Sequence, residues 1–326
     1  MRYRLLPLVA ILFTLCGCGM PSLLITPVSN SSKLEEVQVD GGRGFSPPKV
    51  VIIEVEGMLA NAKSGGFLTP TENPLSLFTQ EMKQAAADDR VKAVVLRINS
   101  PGGTVTCSDT MYDMVKRFKA STHKPVVSSC QEVCASGAYY VACGSDVIVA
   151  NPTSIVGSIG VIFETFDLSI AMSKLGIRTD PVKSAPLKDM GSPFKPLDPD
   201  ARDVMQGMVN EYYGRFVSVV KTNRTKLTDA HKIKTATDGR VFSGEQAAAM
   251  GLVDKVGRLE DAIDLAKSMA HAPNAAVIMY KRPYGYSGSI YASSPTPPPQ
   301  ANVMTLQLPD SELFLPRGFY YLWRGE

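Results

Sequence analysis

The sequence predicts an α/β fold whose strands are buried on both faces. Three observations predict it. Short β-branched runs recur at 50–55, 91–98, 125–129 and 146–150. Stretches with helical spacing of apolar residues separate several of them, at 75–87, 108–120 and 200–221. The runs are nearly continuous in apolar character rather than alternating, which suits strands covered from both sides. Strands that alternate with helices define the α/β class.

The chain begins with an address. Arg2 and Arg4 precede an apolar stretch over 5–15 that Pro7 interrupts, too short to span a bilayer comfortably. Leu15-Cys16-Gly17-Cys18 follows and resembles a lipobox, so residues 1–18 are expected to be a lipoprotein signal peptide and Cys18 the lipidated residue. Cys16 fits worse, because Leu15 is large for a cleavage site. An uncleaved anchor helix and an ordinary secretory peptide are the alternatives. Either way the body is expected on the exported side of a membrane, in the cell envelope, held by lipid rather than by a spanning helix. The formal net charge is only +3 over 326 residues, which argues against nucleic acid as a partner.

Residues 19–48 are rich in Ser, Gly and Pro and are expected to form a flexible tether. One domain is expected over 49–272. Its strands start at 50, 91, 125 and 146. Pro101-Gly102-Gly103 reads as a turn after the second strand, and Ser108 opens a helix bearing Met111, Met114, Val115 and Phe118 on one side. A Gly-punctuated strand or turn covers 156–162, and a Pro- and Lys-rich loop covers 178–198. Helices are expected over 200–221, from Ser243 onward, and over 260–270. Residues 273–326 form a Pro-rich linker and an apolar tail. The tail's Leu313-Phe314-Leu315 and Phe319-Tyr320-Tyr321-Leu322-Trp323 are too apolar to stay free, and a substrate groove is one place for them to dock.

Four cysteines remain beyond the signal: Cys107, Cys130, Cys134 and Cys143. Export permits disulfides, but spacing does not choose a pairing. The plain reading is small buried thiols. No histidine or second close cysteine pair completes a zinc site, so no metal is expected.

The chemistry centres on Cys134-Ala135-Ser136-Gly137-Ala138-Tyr139-Tyr140. A small-residue turn with one serine, followed by an apolar helix, suits an exposed nucleophile. The Pro-Gly-Gly turn some thirty residues earlier suits an oxyanion hole. A serine needs a base, yet none of the three histidines (His123, His231, His271) has an evident place beside it. Lysine is the natural substitute. The Gly-x-Ser-x-Gly elbow is absent around Ser136.

Together the motifs resemble the signal peptide peptidase A family of serine-lysine proteases, over roughly 49–270. The resemblance rests on the segment 88–103, on Ala135-Ser136-Gly137-Ala138-Tyr139-Tyr140-Val141-Ala142, on Ile155-Val156-Gly157-Ser158-Ile159-Gly160-Val161, on Lys183-Ser184-Ala185-Pro186-Leu187-Lys188-Asp189 and on the segment 239–247. Gly251-Leu252-Val253-Asp254 supports the fold more than the reaction. Ala138, where relatives often carry glycine, and Cys134 depart from the pattern.

The resemblance implies a Clp protease/crotonase-like fold of repeated β-β-α units and a serine endopeptidase with a Ser-Lys dyad. Ser136 would be the nucleophile, Lys188 the base, and Ser158 the residue that orients the lysine. The amides of Gly102 or Gly103 and of Gly137 would form the oxyanion hole. A lysine amine has a reference pKa of about 10.4, so the site must desolvate it. Asp189 would then have to point elsewhere. Lys183 is the second candidate base and Cys134 a remote alternative nucleophile. The resemblance further implies peptide substrates, namely cleaved signal peptides or other short apolar segments cut near small residues. It implies a homo-oligomer whose sites face an interior and are sometimes shared between subunits, and no cofactor. Two other classes share the fold: a catalytically silent scaffold or peptide-binding protein, and an acyl-CoA enzyme, for which acidic residues near the glycine turns are missing.

Overall fold

A computed structural model describes residues 34–42, 44–62, 72–282 and 318–323. Eleven strands and eight α-helices lie among the described residues. In chain order they are β1 (Glu35–Asp40), β2 (Lys49–Leu59), α1 (Pro74–Ala87), β3 (Val91–Thr104), α2 (Val105–Thr122), β4 (Val126–Ala135), α3 (Gly137–Ala142), β5 (Val147–Ala150), β6 (Ile155–Gly157), β7 (Ile162–Phe163) and α4 (Ser169–Lys174). After a single 3-10 turn at Pro186–Asp189 come α5 (Pro199–Asn223), α6 (Ala230–Ala236), β8 (Val241–Ser243), α7 (Gly244–Met250), β9 (Lys255–Val256), α8 (Leu259–Met269), β10 (Ala276–Lys281) and β11 (Phe319–Leu322). Among the described residues no helix is long and apolar enough to cross a membrane.

The spine of the sheet runs β1-β10-β2-β3-β4-β5-β9. All of its pairings are parallel except β1 on β10. Alternation along β2 divides the core. Val51, Ile53 and Val55 face a large cluster with Phe78, Met111 and Tyr140, whereas Val50 and Ile52 face a smaller one with Leu259, Ile263 and Ala266. Helices therefore cover both faces, as the continuous apolar runs require. Each buried Val, Leu or Ile contributes about 1.5–3 kcal/mol relative to exposure, so the central strands anchor the body.

Local chemistry sets the helix ends. Asn73 caps α1 by accepting from the Ser76 amide, with Pro74 at the first helical position. Asp198 and Pro199 do the same for α5. Ser243 and Gln246 form a reciprocal capping box on α7, and Gly251 ends that helix at φ 89°.

The structure departs from the sequence expectations in three places. Three strands fall outside 49–272. β1 lies within the stretch expected to be a tether, because its backbone finds the free edge of β10. β10 itself lies beyond 272, and β11 lies in the tail. The Pro-Gly-Gly segment is not a turn. β3 continues through it to Thr104, bulged, with Met58 opposite Gly102 and Leu59 opposite Gly103. Glycine is required there, since a Cβ on Gly103 would run into the Leu59 backbone. Lastly, β4 extends to Ala135, directly up to the serine. The expected signal peptide, Cys18, residues 63–71 and Pro295–Pro299 lie outside the described residues.

Candidate active site

Ser136 sits between the end of β4 and the first residue of α3, at φ 53° and ψ −118°. A positive φ is uncommon for a residue with a side chain, and such strain, of about 1–3 kcal/mol, persists only where the surroundings enforce it. Here its amide donates to the Gly157 carbonyl at 2.7 Å and its carbonyl accepts from the Tyr140 amide at 2.9 Å. The residue is 1% exposed, and its Oγ has no hydrogen-bond partner among the described residues. No histidine, then, is bonded to this hydroxyl.

Ser158 follows Gly157 on the neighbouring β6, where Ala135 pairs with Gly157. It too is buried at positive φ, 50°, held by its amide to the Arg240 carbonyl at 2.8 Å. The fold thus brings Ser158 next to Ser136.

The three glycines converge on the same spot. A Cβ on Gly102, which has φ 101°, would lie 2.6 Å from the Gly137 nitrogen and collide with the Tyr321 carbonyl oxygen. A Cβ on Gly137 would lie 3.1 Å from the Gly103 nitrogen and 3.0 Å from that same carbonyl oxygen. The Gly102 amide is already occupied, donating to Ser100 Oγ at 3.1 Å, and Ser100 Oγ donates to the Gly57 carbonyl at 2.6 Å.

Lys188 makes no hydrogen bond with Ser136 Oγ among the described residues. It lies exposed on the 3-10 turn. The Asp189 carboxylate accepts from Lys195 at 2.7 Å and from Lys183 at 3.0 Å. These bonds, Lys195 first, hold its carboxyl below the usual range. Lys183 is thereby occupied as well, also donating to the Pro186 carbonyl. The segment carrying Lys188 exposes Ile170, Leu175, Ile177, Val182 and Phe194 to solvent.

Cys107, Cys130, Cys134 and Cys143 are free and buried, so the small-thiol reading holds among the described residues. Burial, then a hydrogen bond with Cys130, pushes the Cys134 thiol well up, which disfavours a thiolate nucleophile. No group of three or more metal-ligating side chains is gathered among the described residues.

An aromatic pocket adjoins the glycines, and sequence reading missed it. Tyr140 of α3 packs edge-on against Phe216 of α5 at 5.0 Å and against Tyr112 at 5.3 Å. Tyr140 Oη donates to Asp109 at 2.7 Å. Tyr140 stands inside the serine motif, but nothing local points to its partners on α5.

The Clp protease family profile matches residues 71–154, the stretch that builds α1, β3, β4 and α3, and the chain is a serine endopeptidase on that architecture. The profile of peptidase family S49 matches residues 118–273. A putative signal peptide peptidase SppA of Enterococcus faecium is 36% identical over 73% of this chain and 68% of its own length. Putative protease MJ0651 of Methanocaldococcus jannaschii is 35% identical over 85% of each chain. Protease 4 of Salmonella typhi is 35% identical over 58% of this chain and 30% of its own. The chain belongs to peptidase family S49, the signal peptide peptidase A family.

Proposed function

We propose that Ser136 attacks the scissile carbonyl while Lys188 of a neighbouring copy takes its proton. The observation that carries this reading is the Ser136 hydroxyl, held at positive φ near the Gly103 and Gly137 amides without a hydrogen-bond partner among the described residues. Gly103 and Gly137 are the donors for the oxyanion, since Gly102 is engaged by Ser100. Ser158, adjacent to the nucleophile, orients the incoming amine.

The second copy answers a chemical need. An exposed ammonium is a poor base, and burial is what frees an amine to accept a proton. Lys188 lies on a segment whose apolar side chains are uncovered. Covering that segment with another subunit buries apolar area and desolvates the lysine in one step. The homo-oligomer is thus part of the catalytic unit, and the chemistry calls for neither metal nor cofactor.

The name of the Enterococcus faecium relative supports signal peptides as substrates, and the family resemblance extends this to other short apolar peptides. The N-terminal motif supports attachment through lipid on Cys18, on the exported side of the envelope. Mass spectrometry of the purified envelope form would find a diacylated Cys18, and an unmodified N-terminus would reject the anchor.

The test of the dyad compares peptide cleavage by wild type, Ser136→Ala, Lys188→Ala and an equimolar mixture of the two variants. Each variant alone should lose about a thousandfold or more in kcat. The mixture should regain a fraction of wild-type activity, because some sites pair an intact serine with an intact lysine. Full activity in Lys188→Ala would reject the dyad, and silence in the mixture would reject the sharing.

A further inference from the structure

Resting on the peptidase reading above, we propose that Ser100 and Asn99 are positioning residues of the reaction. Ser100 sets the backbone that offers an oxyanion donor, and Asn99 sets the strand that carries the nucleophile.

β3 is bulged toward both of its neighbours at one spot. On the β2 side, Glu56 pairs with Asn99 and Met58 with Gly102, so Gly57 alone faces Ser100 and Pro101. On the β4 side, Ile98 pairs with Cys130 and Ser100 with Cys134, so Asn99 alone faces Gln131, Glu132 and Val133. A bulge disrupts the ladder locally, and buried backbone groups still need partners.

Two consecutive side chains supply those partners. Ser100 is 0% exposed. Its Oγ donates to the Gly57 carbonyl at 2.6 Å and accepts from the Gly102 amide at 3.1 Å, which closes the bulge toward β2. Asn99 Oδ1 accepts from the Val133 amide at 3.1 Å, at the far end of the bulge toward β4. The near end of that bulge is held too, by Ser154 Oγ donating to the Cys130 carbonyl at 3.0 Å.

Chain order turns these bonds into aim. The Gly102 amide belongs to the peptide plane that joins Pro101 to Gly102. Only the φ and ψ of Gly102 separate that plane from the next, which carries the Gly103 amide. Glycine restrains neither angle, and Pro101 has no amide of its own to anchor the segment. The Ser100 hydroxyl therefore fixes the plane from which the Gly103 donor hangs, with Gly102 at φ 101°. On the other side, only Cys134 and Ala135 separate Val133 from Ser136. Asn99 thus fixes the start of the short run that ends at the nucleophile. Donor and nucleophile take their relative placement from adjacent residues of one strand. A displacement of roughly 1 Å between such groups costs about a hundredfold in rate.

The test measures peptide turnover, melting temperature and the rate of Ser136 labelling by a fluorophosphonate, all on the full chain. Ser100→Ala should lower kcat about ten- to a hundredfold and leave KM within about twofold, because the oxyanion forms only on the way to the transition state. Labelling develops charge on a phosphoryl oxygen in the same place and should slow by a similar factor. Ser100→Thr keeps the hydroxyl and should stay within about threefold of wild type. Asn99→Ala alters a half-buried residue. It should lower kcat about tenfold at unchanged KM, and it decides the matter if Ser100→Ala does not fold. A merely structural role predicts a lower melting temperature with kcat of the folded protein unchanged, and that result would overturn the proposal. A threonine variant no more active than the alanine variant would overturn it as well. A wild type that cleaves no peptide would sink the peptidase reading and this proposal with it, whereas variants that match an active wild type would sink this proposal alone.

Discussion

Arg224 and Asp254 form a largely buried ion pair at 2.9 Å, their side chains 5% and 20% exposed. Asp254 also accepts from the Ile148 amide at 2.9 Å, and two residues earlier the Leu252 carbonyl accepts from Tyr139 of α3. The pair therefore ties α5, β5 and the serine's helix together. Removing one member strands the other, so Arg224→Ala should cost about 3–5 kcal/mol in urea unfolding. The contrast is Arg215 with Asp109, whose side chains are 58% and 30% exposed. There Arg215→Ala should cost no more than about 1 kcal/mol. Equal losses would show that exposure does not rank these pairs.

The glycines should differ in how they fail. Gly103→Ala forces a Cβ into the Leu59 backbone, which has nowhere to move, so the chain should lose several kcal/mol or not fold. Gly137→Ala meets the Ser108 hydroxyl, a side chain that can rotate, and the Tyr321 carbonyl. It should fold, and if Gly137 is the oxyanion donor proposed above, peptidase activity should fall by about a hundredfold or more. Melting curves and peptide turnover on the two variants separate these outcomes.

Stability should fall as pH rises, because of Glu81. This residue of α1 is 2% exposed, and its Oε2 has no hydrogen-bond partner among the described residues. Burial, then the Glu54 carboxylate, pushes its carboxyl well above the usual range, and Lys281 only partly opposes them. A raised carboxyl contributes stability that is complete below the unfolded value of about 4.3. That stability is lost as pH rises through the folded value. Glu81→Gln keeps the neutral form at every pH, so its melting temperature should lose this slope. A variant with the wild-type slope between pH 5 and 9 would assign the effect elsewhere. Asp254 works in the opposite sense. Burial raises its carboxyl, but the bonds from Arg224 and Ile148 win and lower it, so its contribution is lost as pH falls through its folded value.

The four thiols should ignore alkylating reagents until the protein unfolds. Burial pushes Cys107 and Cys143 up to about 12, and both are 1% exposed. Iodoacetamide should label Cys107, Cys130, Cys134 and Cys143 only in denaturant, and Cys134→Ala should keep peptidase activity. Rapid labelling of the folded chain, or a disulfide found by mass spectrometry, would contradict this.

Much of the fold could be read from local pattern. The runs at 50–55 and 91–98 became β2 and β3, and helices expected over 75–87 and 200–221 formed within a few residues of those bounds. The serine motif placed Ser136 at a strand-to-helix junction because small residues beside an apolar helix leave few other conformations. What escaped was non-local. Glu36 pairs with Tyr280 and Tyr321 with Gly103, contacts that no periodicity encodes. The Pro-Gly-Gly segment has turn composition, yet glycine there permits close backbone approach rather than reversal. Lys188 is singled out by its motif, yet it lies exposed on the 3-10 turn, and no local pattern says what would cover the apolar side chains around it.

β3 and β11 are more than two hundred residues apart in the chain. During synthesis, which proceeds from the N-terminus, the edge of β3 at Gly102–Thr104 waits without this partner until residues 319–322 emerge. An unpaired edge invites other chains to add to it. A molecule that lacks β11 therefore presents an adhesive rim that β11 otherwise covers, and truncation before residue 319 should show itself as aggregation.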